Sequence, residues 1–310
     1  DCADASGTTV TISTSCTDLD IAGDGSNVTI NSGVTVSASQ VAVDTTGSGI
    51  ISSITNNGTI NATSQTAFEN DATINTLTNT GIISSSGHWG LKSGGSSAYI
   101  GTLNNSGTIS AGNNVGLQNQ NSATINELIN SGTISASSDK GLLNNTTASI
   151  NTLTNSGTIS AGDDFGLRND GTITTLTNSG TISAIDDNGL WNDGTITTLT
   201  NSDTISAGGE SGIKNVNGGT ITTLTNSGTI SAGSNFGIKN DQSGSNTATI
   251  TTLTNSGTIS AGGHSGLWND GTITTLTNSD TISAVTDNGL KNIGTITTLE
   301  NSGTISAGDE

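Results

Sequence analysis

Residues 171–184 read GTITTLTNSGTISA, and nearly the same fourteen letters return from Gly194, Gly271 and Gly294. With the leucine of "TL" as reference, eleven copies occur: Ile54, Leu77, Leu103, Leu128, Leu153, Leu176, Leu199, Leu224, Leu253, Leu276 and Leu299. Their spacings run 23, 26, 25, 25, 23, 23, 25, 29, 23 and 23. A period of this size indicates a solenoid, in which each repeat is one unit that buries its apolar face only by stacking on the next.

Ile stands three residues before every reference position (Ile51 through Ile173 to Ile296), and Asn two after it (Asn56 through Asn178 to Asn301). Ile follows at six (Ile60 through Ile182 to Ile305), and Phe68, Leu or Ile at fourteen. All extra residues fall between the "N" of "GLxN" and the next Ile, which marks a loop on one edge of an otherwise constant turn. Thr, Ser and Gly flank the aliphatic positions, and "GTISA" alternates with period two, so the segments read as strands. The predicted fold is all-β: a parallel β-helix of about thirteen coils, three short strands and about 23 residues per coil, rungs ~4.8 Å apart. Ile173 and Leu176 are three apart, so the chain must bend between them. The Asn column marks the next corner, where stacked amides can bond one another up the solenoid. Gly sits two after that Asn in nine of eleven copies, Asp203 and Asp280 in the others, which suggests a positive φ there.

Six basic residues face 25 acidic ones, for a formal net charge of −19. Such a surface repels phosphate backbones and anionic lipid, so nucleic acid is not an expected partner. No apolar run is long enough for a membrane-spanning helix, so no membrane insertion is expected of this segment. Cys2 and Cys16 are the only cysteines. With no His nearby, a short-loop disulfide in an oxidising compartment suits them better than a metal. Residues 1–27 are expected to form a disulfide-closed cap over the first strand edge, with the repeat array over 28–310.

The stacked "LTNSGTISA…GLxNDGTIT" units over residues 28–310 resemble the passenger domains of type V autotransporters of Gram-negative bacteria. The resemblance implies a right-handed β-helix, exported through the periplasm and outer membrane to the bacterial cell surface by a C-terminal barrel. Many such passengers are adhesins, and one branch clumps cells by self-association. With no barrel in the sequence and Glu310 in mid-coil, the chain is expected to be a fragment of a longer passenger. The "GDSGS" motif of the family's serine proteases is missing, which counts against a protease.

Raw material for chemistry is sparse. His88 and His264 are seven coils apart in one column and cannot act together. No Ser–His–Asp set, zinc set or phosphate-binding glycine loop is present, so neither enzyme activity nor a cofactor nor a metal is expected. A carboxylate pair for polysaccharide cleavage stays open as an alternative, as does ice binding by the Thr-Ile-Thr array from Thr172/Thr174 to Thr295/Thr297.

Two surface columns depart from the Thr/Ser background. Fifteen after the reference come Glu69, Lys92, Gln118, Leu143, Arg168, Trp191, Lys214, Lys239, Trp268 and Lys291, which hold five of the six basic residues and two of the three Trp. This column is expected to face solvent. Four residues earlier in each coil run Asp139, Asp164, Asp187 and Glu210. Trp and Arg are enriched in binding hot spots, and Trp191 lies between Arg168 and Lys214, as cation–π stacking requires. The reading is an adhesin whose strip meets either a second copy, basic column against acidic column between cells, or a glycan or protein receptor. It would serve aggregation, biofilm formation or attachment.

Overall fold

The computed structural model describes residues 2, 9–23, 25–95 and 97–308. Every regular element among them is a strand, and three parallel sheets build a β-solenoid of about 12 turns with ~24 residues each. The chain divides into two compact units, Asp1–Thr158 and Ile159–Glu310.

A turn of the C-terminal unit consists of a long strand (Thr172–Asn178), a "TISA" strand (Thr181–Ala184) and a "GLxN" strand (Asn188–Asn192). The N-terminal unit repeats the plan, for example in Thr73–Asn79, Ile82–Ser85 and Trp89–Ser93. Within the C-terminal unit Ile173 pairs with Ile196, Leu176 with Leu199, Ile182 with Ile205 and Leu190 with Ile213. In the N-terminal unit Ile74 pairs with Ile100 and Leu77 with Leu103. All these side chains are fully buried. Each is worth ~1.5–3 kcal/mol relative to exposure, which is how so polar a chain sustains a core. The expected bend is present: Thr172 and Ile173 pair with the next turn, Thr175 resumes the ladder, and the residue between drops out of register.

The Asn column after the long strand is a buried amide ladder. Asn178 Nδ2 donates to Asn201 Oδ1 at 2.7 Å, Asn201 to Asn226 at 2.8 Å, and Asn226 to Asn255 at 2.8 Å. Each amide also donates to main-chain carbonyls at the corner, as Asn201 does to Asp203 at 2.9 Å and Thr229 at 3.2 Å. A second ladder runs along the last residue of the "GLxN" strand, with Asn192 donating to Asn215 at 2.7 Å and Asn215 to Asn240 at 2.9 Å. Two polar seams thus satisfy corner carbonyls that a thin apolar core would strand.

The glycine two after the first Asn column does not adopt the expected positive φ; among described residues that conformation occurs at other positions. Close approach favours glycine in the nine turns that carry it, while Asp203 and Asp280 are accommodated in the other two. A Cβ on Gly81, Gly107 or Gly132 would lie about 2 Å from the carbonyl oxygen of the equivalent glycine one turn below.

The disulfide joins Cys2 and Cys16. The boundary drawn after residue 27 is not a break in the described structure. Thr9–Ile12 pairs with Asn27–Ile30, Cys16 with Val36 and Leu19 with Val43, so residues 9–22 already form a rung in register. The rest of the expected cap (residues 1, 3–8 and 24) and Glu310 lie outside the described residues.

Candidate functional site

In the "GLxN" strand the Leu or Ile points into the core, so the residue after it must lie on the outer face. That places Arg168, Trp191, Lys214, Lys239, Trp268 and Lys291 in one line on the C-terminal unit, with Trp191 opposite Lys214 and Lys239 opposite Trp268. These side chains are less exposed than expected. Arg168 keeps 29% of its side-chain surface, Lys239 22% and Lys214 14%. Each lies flat along its neighbours, alkyl stem on ring, as long charged side chains do over apolar surface.

The rings organise the face. Trp191 lies under Lys214 Nζ at 4.5 Å and beside the Arg168 guanidinium at 5.8 Å, and it packs on Phe165 with centroids 5.1 Å apart. Arg168 also lies over Phe165 at 5.5 Å. Three turns on, Lys291 Nζ lies over Trp268 at 4.6 Å, Trp268 packs on Phe236 at 5.4 Å, and Lys239 lies over Phe236 at 5.4 Å. Each cation–π contact contributes ~0.5–1 kcal/mol at such sites. The indole N–H groups of Trp191 and Trp268 are buried and have no acceptor among the described residues. An unmet donor costs ~1–3 kcal/mol, so stability alone favours a smaller apolar residue there.

The charges are partnered differently from the expectation of one opposite charge four residues away in every turn. Lys214 and Glu210 follow it, at 2.9 Å. Arg168 pairs with Asp170 at 2.8 Å and Lys239 with Asp241 at 2.8 Å, each two residues on in the same turn, because the loop after the strand turns its Asp back over the face. In the N-terminal unit Lys140 pairs with the adjacent Asp139, and Lys92 with Glu69 on the preceding turn at 2.5 Å. The acidic column is partly desolvated at Asp187. Burial, then the charge of Glu210, pushes its carboxyl up to about 6, against the opposing pull of Lys214. At Glu210 burial also raises the pKa, but the hydrogen bond and charge of Lys214 outweigh it and the net shift is downward. Asn188, fully buried, donates to Asp187 at 2.6 Å. Asp164 retains interactions of its own.

The strip extends beyond the residues singled out from sequence. Asp20 pairs with Asp44 and Asp44 with Glu69, an acidic ladder in the N-terminal unit that ends at Lys92. Burial, then Glu69, Asp71, Asp20 and Asp18, raises the Asp44 carboxyl to about 6. Phe165 and Phe236 belong to a neighbouring column three residues earlier, as do Trp89 and Lys140. All six basic residues and all three Trp of the chain therefore lie on "GLxN" strands. Three aromatic residues (Trp89, Phe165 and Phe236) recurring at one offset in a chain with only 2% aromatics were the available signal.

The other candidates offer less. His88 packs on Trp89 at 5.0 Å and His264 stacks on Phe236 at 5.6 Å, so both are framework to the aromatic face. No group of three or more His, Cys, Asp or Glu that could hold a metal occurs among the described residues. A pocket of about 290 Å³ lined by Asp18, Ala38, Ser39, Gln40 and Val41 holds one ionisable side chain. The Thr array ladders at Thr172, Thr195 and Thr220, but the second Thr of each "TIT" sits at the bend, so the two Thr lines do not share a flat sheet. Comparison of the chain with protein-family models, with curated proteins and with solved structures gives no match.

Proposed function

We propose that this protein is an attachment protein: a β-solenoid, displayed on a bacterial cell surface, that holds cells to one another or to a surface through the outer face of its "GLxN" sheet. One observation carries the reading. A chain with three Trp and six basic residues carries all of them on its "GLxN" strands, and in the C-terminal unit the rings and cations stack from turn to turn. The core does not use them, since it is filled by the Ile and Leu columns. Weak contacts on a laddered face sum steeply when many copies meet between two cells, which suits adhesion better than catalysis.

Side-by-side association of two copies is one form of this function. Because Arg168, Lys214 and Lys239 already have carboxylate partners, such association would draw on aromatic packing and hydrogen bonding more than on free charge.

The test is display of the chain on cells that do not otherwise clump or attach, with Lys214→Glu plus Lys239→Glu as the variant. The expected result is clumping or attachment by the wild type, competed by soluble chain and lost in the variant. Equal behaviour of displaying and non-displaying cells would refute the reading.

A further inference from the structure

The ring and cation contacts on the C-terminal unit form the same arrangement twice. In the first, a cation (Arg168) is clamped by the Asp two residues on and lies over a Phe (Phe165); that Phe packs on the Trp of the next turn (Trp191), and a Lys of the turn after (Lys214) covers the Trp. In the second, Lys239, Asp241, Phe236, Trp268 and Lys291 take the same places. The matched distances are close: 5.5 and 5.4 Å for cation over Phe, 5.1 and 5.4 Å for Phe to Trp, and 4.5 and 4.6 Å for Lys over Trp. A one-turn repeat cannot generate a three-turn pattern.

Residues 189–207 and 266–284 are identical, so a duplicated block supplied part of the pattern. Around that block the two copies differ: Asn188 against Ser265, Ile185 against Gly262, and an inserted hairpin of Gln242–Ser243 and Asn246–Thr247 in the second. The Trp lies within the identical block, but the Phe, the leading cation and the covering Lys lie outside it and are kept through those differences.

We infer that the two arrangements are equivalent subsites for one extended, uncharged polysaccharide chain lying along the "GLxN" sheet. This deepens the attachment reading above and rests on it. Three rungs separate the subsites by ~14 Å at the strand spacing, so one ligand must offer the same group again at that interval, as a polymer of repeating units does. Charge selects the class. Arg168, Lys214 and Lys239 are already held by Asp170, Glu210 and Asp241, and the chain carries −19, so a polyanion or a second copy approaches against repulsion. A neutral sugar meets none. Its apolar C–H edges suit the ring edges and alkyl stems, and its hydroxyls, each donor and acceptor, suit the outward atoms of the ion pairs.

The experiment is titration of the full chain, followed by tryptophan fluorescence and calorimetry. The probes are length series of linear β-linked gluco-oligosaccharides and α-linked manno-oligosaccharides, with polygalacturonate as the polyanion. The expected result is binding in a neutral series, with affinity rising on the order of 100-fold once the ligand reaches both subsites. Trp191→Ala or Trp268→Ala alone should remove the length dependence, and Lys291→Gln, which uncovers the Trp268 ring but leaves it in place, should weaken binding. The wild-type length series needs no variant to fold.

No binding in either neutral series, or preference for polygalacturonate, overturns the inference. So does concentration-dependent dimerisation lost in the Trp variants without saccharide binding, which would make a second copy the occupant. Attachment of chain-coated beads is scored in parallel. Attachment without saccharide binding refutes this inference alone, and saccharide binding without attachment refutes the attachment reading alone.

Discussion

Replacing Asn201 by Ala tests how the solenoid holds its corners. Asn201 is fully buried, and it donates to Asn226 Oδ1 at 2.8 Å, to the Thr229 carbonyl at 3.2 Å and to the Asp203 carbonyl at 2.9 Å. Asn178 below would lose one of its three acceptors and keep the Gly180 and Thr204 carbonyls, enough for its two hydrogens. The damage is therefore directional. Asn226 Oδ1 above loses the ladder donor in a dry corner, at ~1–3 kcal/mol, and the bond to Thr229 adds ~1 kcal/mol. A total near 3 kcal/mol is expected. Asn301, the same residue type in the same column, is exposed and donates only to the Gly303 carbonyl at 3.2 Å; its replacement should cost under ~1 kcal/mol. Hydrogen exchange read peptide by peptide suits a repeat protein better than one global transition. Exchange in 195–232 should speed on the order of 100-fold in Asn201→Ala and hardly at all in Asn301→Ala. Equal effects of the two substitutions would show that the amide ladder is ornament and that the Ile and Leu columns alone set stability.

Three further outcomes follow from the geometry. The carboxyls of Asp44 and Asp187 are raised to about 6 in the folded chain, above the unfolded value near 3.9, so the stability they contribute is full below pH ~4 and is lost as pH rises through ~6. Melting should therefore move upward between pH 7.5 and 5, by ~1 kcal/mol per group after allowance for solvent screening, and Asp187→Asn should remove part of the shift. Reduction and alkylation of Cys2–Cys16, whose sequence separation is 14, should cost ~3 kcal/mol and speed exchange first in residues 9–46. Lys214→Glu with Lys239→Glu should lower stability by ~1–3 kcal/mol, measured by urea titration, since each cation gives up one ring contact and one ion pair on the outer face; a loss beyond ~4 kcal/mol would mean that the strip is structural.

The fold was legible because every turn restates it: Ile, Leu, Ile and Leu at fixed offsets leave one way to stack, and Ile173, Leu176, Ile182 and Leu190 are all fully buried. The line of Arg168, Trp191, Lys214, Lys239, Trp268 and Lys291 was legible for the same reason, since register converts a sequence offset into a line on a face. Partner choice was not. Whether Arg168 turns to Asp170 or to Asp164 depends on the loop path and on side-chain rotamers, which periodicity does not encode. The Asp20–Asp44–Glu69 ladder escaped because the first turns lack the "TL" reference. The glycine after the Asn corner signals φ in most turns, whereas here it relieves crowding by a carbonyl one turn away, a contact that the turns of Asp203 and Asp280 accommodate with a Cβ in place.

The central claim is that the aromatic and cationic face of the C-terminal unit is what makes contact. The most direct measurement compares attachment by beads coated with the wild-type chain, with Trp191→Ala plus Trp268→Ala, and with Thr197→Ala plus Thr274→Ala on the long-strand sheet, all at equal coating and with matching circular dichroism. The account predicts that the Trp pair abolishes attachment and that the Thr pair leaves it unchanged. Attachment that survives loss of both Trp, or that falls equally with the Thr pair, would contradict it.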